Sequence, residues 1–286
     1  MNIRRLSIPV LALIAGIAGM GLAWTSPARA AETVKETFQK SYALKAGGEL
    51  RVENRNGGIT VEAWDRNEVQ VVAIKQAKAE STERAREALK KITIDVQPSA
   101  GAVRIATRMP KEGDGFFDWL SGSSVNMSVT YKIKAPRQLV ADLESTNGGV
   151  RLVGTRGRAD LTTTNGGVSV EDVQGNLRLR STNGGLTVVN AAGTLDGVTT
   201  NGGITAELAE VDGDISLRTT NGGVTLRLPE NLRATVDIAT SNGGIHSDLE
   251  VEGGEKTRRS LTGDINGGGG KLFVRSTNGG VRIVTE

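Results

Sequence analysis

The sequence predicts an all-β protein: a single-stranded parallel β-solenoid (β-helix) with a β-rich N-terminal capping module containing one helix. Three observations carry this. Asn-Gly-Gly recurs at Asn56, Asn147, Asn165, Asn183, Asn201, Asn221, Asn242, Asn266 and Asn278, and Thr or Ser precedes it in seven of the nine copies. The steps from Asn147 to Asn201 are 18 residues each, then 20 and 21. A fixed period with one turn signal per unit marks stacked repeats rather than one globular core. The composition agrees: 38 Gly and nine aromatic residues suit narrow layers of Val, Ile, Leu, Ala and Thr.

Each repeat reads as two short strands joined by two kinds of corner. Ala159, Leu161 and Thr163 alternate up to Asn165-Gly166-Gly167, and Val168, Val170 and Val173 follow it. Leu177, Leu179 and Ser181 repeat the pattern before Asn183. Asn and Gly tolerate positive φ, so the motif is expected to turn tightly in that conformation. The same letters serve β-hairpins, and an antiparallel meander is the competing arrangement. Stacking of equivalent coils predicts a ladder of amide hydrogen bonds through Asn147, Asn165, Asn183, Asn201, Asn221, Asn242 and Asn278. Gly157, Gly175, Gly193 and Gly213 mark the opposite corner.

The expected segments are a leader over residues 1–30, an N-terminal β-rich module over 31–138 and solenoid repeats over 139–286. Arg4 and Arg5 precede an apolar run from Leu6 to Trp24, and Ala28-Arg29-Ala30 has the small residues of a cleavage site. Export to the periplasm or the extracellular cell envelope follows, with an uncleaved anchor as the alternative. Residues 31–45 read as a polar lead-in. Strands are expected at Glu49–Val52, Ile59–Trp64, Val69–Ile74, Ile92–Val96, Val103–Thr107 and Val125–Ile133. Residues 81–92 form the one expected helix: Ala85, Ala88, Leu89 and Ile92 share a face, and Ser81 or Thr82 caps it. The module is either a separate small domain or a cap on the solenoid. Asn56, 91 residues ahead of Asn147, is either a hairpin turn or a first coil. The copy at Asn278 runs almost to the last residue, which predicts an uncovered C-terminal coil with an open strand edge suited to end-to-end association.

Several function classes are excluded or weakened. There is no cysteine, so disulfides and thiol chemistry are absent. The formal charge of +3 is matched by Arg4, Arg5 and Arg29, and residues 1–30 hold no acid, so the remainder is balanced and nucleic acid is not an expected partner. His246, the single histidine, completes no acid-base set. Gly213-Asp214 and Gly263-Asp264 lack the regular spacing of calcium-binding repeats. No cofactor and no metal are expected. The aromatic loop with Phe116, Phe117, Trp119 and Leu120 either protrudes to meet a lipid interface or partner groove, or folds back over its own module. Asp142, Glu144 and Asp160 either line one flank, the basis of an alternative in which carboxylates there cleave polysaccharide, or belong to a scattered solvated face, which is the default expectation.

Gly48-Glu49-Leu50-Arg51-Val52-Glu53-Asn54-Arg55-Asn56-Gly57-Gly58-Ile59-Thr60-Val61, the following Trp64-Asp65, and Val129-Thr130-Tyr131-Lys132-Ile133-Lys134-Ala135-Pro136 before the Thr-Asn-Gly-Gly corners carry a family resemblance. The chain resembles the bacterial "putative adhesin" domain family of unknown function over roughly residues 38–286. That resemblance implies an exported or membrane-linked β-solenoid, in some cases beside envelope-stress systems, and carries no catalytic residues. The loop at Phe116–Leu120 matches none of its motifs. The expectation is therefore a non-enzymatic envelope protein, adhesin-like or accessory, meeting an envelope protein, a cell-wall glycan or a membrane surface.

Overall fold

The computed structural model describes residues 31–110 and 125–285. The expected leader and the aromatic residues Phe116, Phe117, Trp119 and Leu120 lie outside the described residues. Residues Ala31–Glu286 form one compact unit.

The period becomes geometry through in-register parallel pairing. One ladder of strands joins β2 (Gly48–Asn56), β8 (Leu139–Asn147), β10 (Ala159–Asn165), β12 (Gln174–Asn183), the second half of β13 (Leu186–Asn201) and β15 (Ile215–Asn221). The other joins β3 (Ile59–Trp64), β9 (Val150–Val153), β11 (Val168–Glu171), the first half of β13, β14 (Ile204–Glu210) and β16 (Val224–Leu228). An 18-residue step superposes like on like, so Leu161 pairs with Leu143 and Leu179, and Val170 with Leu152 and Val188. All of these side chains are buried. With a strand period of two, one row per strand packs inward and the next faces solvent.

The sheet is mixed, which corrects the purely parallel expectation. Antiparallel pairs join β1 (Glu32–Ala43) to β4 (Glu68–Ala79), β4 to β7 (Asn126–Pro136), and β5 (Thr93–Ser99) to β6 (Ala102–Arg108). The first of these replaces the polar lead-in with a twelve-residue strand. Its apolar residues Val34, Phe38 and Tyr42 stand four apart and gave no clear alternation; pairing with β4 supplies the order. Helix α1 (Thr82–Lys90) packs on β1 and β4 through Ala85, Ala88 and Leu89, and Ser81 caps it by accepting from the Arg84 N–H at 3.3 Å. Asn56 is a first coil: β2 pairs with β8 and β3 with β9, so residues 31–138 and 139–286 share one sheet.

Spatial order departs from chain order at the other end. Strand β20 (Gly270–Asn278) lies between β15 and β17 (Ala234–Asn242), and β21 (Val281–Thr285) lies between β16 and β18 (Ile245–Ser247). The C-terminal coil is therefore interior, and the open edge expected there is already paired on both sides. Strand β19 (Ser260–Ile265) runs antiparallel on β17, and the Ile245 N–H donates to the Arg258 carbonyl at 2.8 Å, so the intervening segment covers the last coil. Burying a strand edge this way satisfies its backbone groups and removes a template for aggregation. Asn266 is no rung; with φ of 51° for Asn266, 78° for Gly267 and 77° for Gly268 it forms a left-handed turn.

The corner glycines need space rather than positive φ. Of the eight stacked Asn-Gly-Gly corners only Gly57 has a left-handed φ, 113°. At the first glycine of the others, a Cβ would stand 2.0 Å from the Gly166 carbonyl oxygen at Gly184, 2.4 Å from that of Gly148 at Gly166 and 2.3 Å from that of Gly184 at Gly202. The second glycine is looser, 3.1 Å for Gly185. Gly184→Ala should therefore destabilise by about 3 kcal/mol, and Gly185→Ala by about 1 kcal/mol or less. Denaturant unfolding of the two variants checks this, and equal losses would contradict it.

Candidate functional site

The side chains at the corner form two ladders. Outside, each asparagine donates its Nδ2 to the Oδ1 of the spatially preceding one: Asn147 to Asn56 at 2.7 Å, then Asn165 at 2.7 Å and Asn183, Asn201, Asn221 and Asn278 each at 2.8 Å, and finally Asn242 to Asn278 at 2.9 Å. Inside, the hydroxyl two residues ahead of each asparagine donates to a glycine carbonyl of the neighbouring coil. Thr163 reaches Gly148 at 2.8 Å, Thr199 reaches Gly184 at 2.7 Å and Thr240 reaches Gly279 at 2.7 Å. The sequence reading placed weight on the residue directly before Asn, such as Thr164, which is exposed; the buried hydroxyl is one position earlier, where a Ser or Thr recurs from Ser145 to Ser276. In the first coil Asn54 takes this place, donating to the Gly57 and Val129 carbonyls at 2.8 Å each. Apart from the Asn54 Oδ1, which is buried without a hydrogen-bond partner, the ladder contacts are made between the coils themselves, so the corner is structural.

The ladder containing β2 to β20 turns a lattice of charge outward. Arg51 bridges Asp142 at 3.2 Å and Glu53 at 2.8 Å. Asp142 and Asp160 are register neighbours, as are Glu144 and Thr162, so the three flank acids do lie on adjoining strands. Arg178 lies 3.7 Å from Asp160 and 3.8 Å from Asp196. Asp196 is shared: Arg180 binds it at 2.9 Å and Arg218 stands at 4.0 Å. Exposed ion pairs of this kind add little to stability, so the lattice is not needed to hold the fold.

Phe273, the only aromatic residue after Pro136, sits on this face toward the end that β17 and β19 close, and escaped the sequence reading. Leu272 and Val274 are buried on either side of it in β20, so the ring points outward. Three cations lie over it: the Arg275 guanidinium at 4.2 Å, Arg218 at 4.5 Å and the Lys271 ammonium at 5.0 Å from the ring centre. Arg275 is also held by Asp237 at 2.7 Å. The signal that would have found the cluster was a lone aromatic residue at an outward position of a repeat. A smaller cluster sits near the N-terminal end, where Trp64 donates to the Glu68 carbonyl at 2.8 Å and lies under Arg66 at 5.0 Å and Lys134 at 6.0 Å.

The remaining sequence candidates are scattered. His246 is exposed on β18 opposite Arg282. Asp214 accepts from the Lys271 N–H at 2.8 Å, and Asp264 from the Thr235 hydroxyl at 2.7 Å. Among the described residues no group of three or more His, Asp or Glu side chains is placed to hold a metal ion.

Burial pushes the Asp142 carboxyl above its usual range; Arg51 pulls it back, and Asp160 adds to the rise. The folded chain thus holds this proton more tightly than the unfolded chain, so the Asp142 contribution falls as pH climbs through that window. Asp142→Asn should raise the melting temperature at pH 7, and the gain should vanish near about pH 3, where the native carboxyl is itself protonated. Scanning calorimetry at both pH values checks the sign.

The family model described as Toastrack DUF4097 matches residues 47–284. No relative among curated proteins matches the sequence. Among solved structures, a "putative cell adhesion protein" from Clostridium sporogenes ATCC 15579 is 11% identical with a TM-score of 0.35, covering 88% of this chain and 100% of its own. A "putative adhesin" from Bacteroides fragilis NCTC 9343 is 10% identical with a TM-score of 0.40, covering 87% and 97%. A "putative lipid binding protein" from Parabacteroides distasonis ATCC 8503 is 10% identical with a TM-score of 0.34, covering 87% and 96%.

Proposed function

The chain belongs to the Toastrack DUF4097 family, and on that premise we propose that it is an exported, non-enzymatic β-solenoid of the cell envelope. It presents the charged face around Phe273 to an anionic cell-wall glycan. The observation that carries this reading is the cation cluster on that ring. Phe273 holds Arg218 and Lys271 against the face, while Asp196 is divided among three guanidiniums. Pre-ordered cations beside an apolar ring suit a polymer that offers carboxylates or phosphates alongside sugar C–H faces. The leader expected from Arg4, Arg5 and the run to Trp24 supports export, and among the described residues no helix is long and apolar enough to cross a membrane.

The polysaccharide-cleaving alternative rests on Asp142 beside Asp160. Both acids are already engaged by Arg51 and Arg178 on an exposed face, which favours a static role for them.

Sedimentation of the protein with purified cell-wall glycan tests the proposal. Wild type should co-sediment, and binding should weaken as salt rises. Phe273→Ala and Lys271→Glu should each reduce it by about tenfold, roughly the loss of one cation–π contact or charge pair. Unchanged binding in both variants would refute this site, and glycan cleavage abolished by Asp142→Asn would favour the alternative.

A further inference from the structure

Strand β1 is paired on one side only. All twelve residues, Glu32 to Ala43, pair antiparallel with β4, and among the described residues no hydrogen bond or strand pairing engages the other edge of β1. The even-numbered residues of β1 share a face with the buried residues Val69, Val71, Ala73 and Ala77 of β4. Helix α1 covers that face but leaves Val34, Phe38 and Tyr42 half-buried at its margin. A strand of this length with an apolar margin is a template for another strand.

The order of side chains along β1 says which strand fits. In antiparallel pairing of β1 with its own copy about a two-fold axis, even positions face even positions, so the register is fixed by which residue lies on the axis. With the axis at Thr37, Glu36 faces Phe38 and Val34 faces Lys40. With it at Gln39, Phe38 faces Lys40 and Glu36 faces Tyr42. With the axis at Phe38, the ring meets its mate, Val34 meets Tyr42, and Glu36 meets Lys40 twice over. Only this last register sets apolar against apolar and acid against base across the whole face. Glu36 binds Lys75, its register partner on β4, at 2.8 Å yet stays half-exposed, and the exposed Lys40 rests its ammonium over Tyr42 at 5.4 Å, so neither side chain is buried against the pairing of β1 with a second strand.

We infer that β1 is the docking edge for a second copy of this chain, giving a two-fold dimer with a continuous sheet and Phe38 on the axis. A two-fold contact of this kind closes on itself, so the product is a dimer and not a fibre. It leaves the face around Phe273 open in both copies, because that face belongs to other strands.

The experiment is analytical ultracentrifugation of wild type, Glu36→Lys, Lys40→Glu and an equimolar mixture of the two variants. Circular dichroism confirms that each is folded. Wild type should show a concentration-dependent dimer. Each variant alone places like charges opposite at both pairs and should raise the dissociation constant by about tenfold or more. The mixture restores both opposite-charge pairs and should recover the dimer. A second arm uses the absence of cysteine: Phe38→Cys should form a disulfide-linked dimer on mild oxidation. Thr33→Cys should not, since its mate would lie about 33 Å away along the strand. A wild type that is monomeric throughout, a mixture that fails to recover the dimer, or equal cross-linking at positions 33 and 38 would overturn the inference.

Discussion

Stacked strands stand about 4.8 Å apart, and wherever the chain turns out of one ladder and into the next, its backbone must keep that spacing without help from a pleat. At the Asn-Gly-Gly corner this brings the first glycine against the carbonyl of the glycine below. A methyl group there would lie 2.0 to 2.4 Å from that oxygen at Gly184, Gly166 and Gly202. The two polar ladders follow from the same closeness. Asparagine amides come within 2.7 to 2.9 Å of one another outside the corner, and Ser or Thr hydroxyls reach glycine carbonyls inside it. Once these contacts set the rung spacing, the leucine and valine rows fall into register and the interior fills by layers.

A fold held by corners and inward rows leaves its outward rows free. Substituting an outward residue changes neither the rung spacing nor the core, so the sheet can carry Arg51, Asp142, Asp160, Arg178 and Asp196 as a surface pattern with little effect on stability. Phe273 is the clearest sign that this freedom has been used. An aromatic ring facing water in a chain with few aromatic residues gains little by folding, whereas a ring that orders three cations creates a local surface unlike the rest of the face.

The two ends of the sheet are handled differently. At one end the chain overshoots, forms the coil of β17 and β18, seals it with residues 248–265, and returns to insert its last coil inside the stack. That manoeuvre gives both terminal strands two neighbours. At the other end α1 covers one face of β1 and β4, while the outer edge of β1 has no strand partner among the described residues. Lysines 35 and 40 on that strand discourage indiscriminate pairing, and one self-complementary register remains.

The sequence by itself determined the corners, the 18-residue coils, the inward rows and the single helix, because each depends on local chemistry repeated at a fixed step. It misjudged why the glycines are needed, since close approach between coils is not visible in a local φ preference. It missed β1, whose spacing of Val34, Phe38 and Tyr42 becomes a strand only beside β4, and it missed the hydroxyl ladder, whose partners belong to other coils. The swapped order of the last two coils was beyond it as well: Asn242 and Asn278 carry the same corner, and either could be outermost by pattern alone. Only the tertiary structure decided that, because the choice rests on which arrangement leaves the fewer unpaired backbone groups at the end of the sheet.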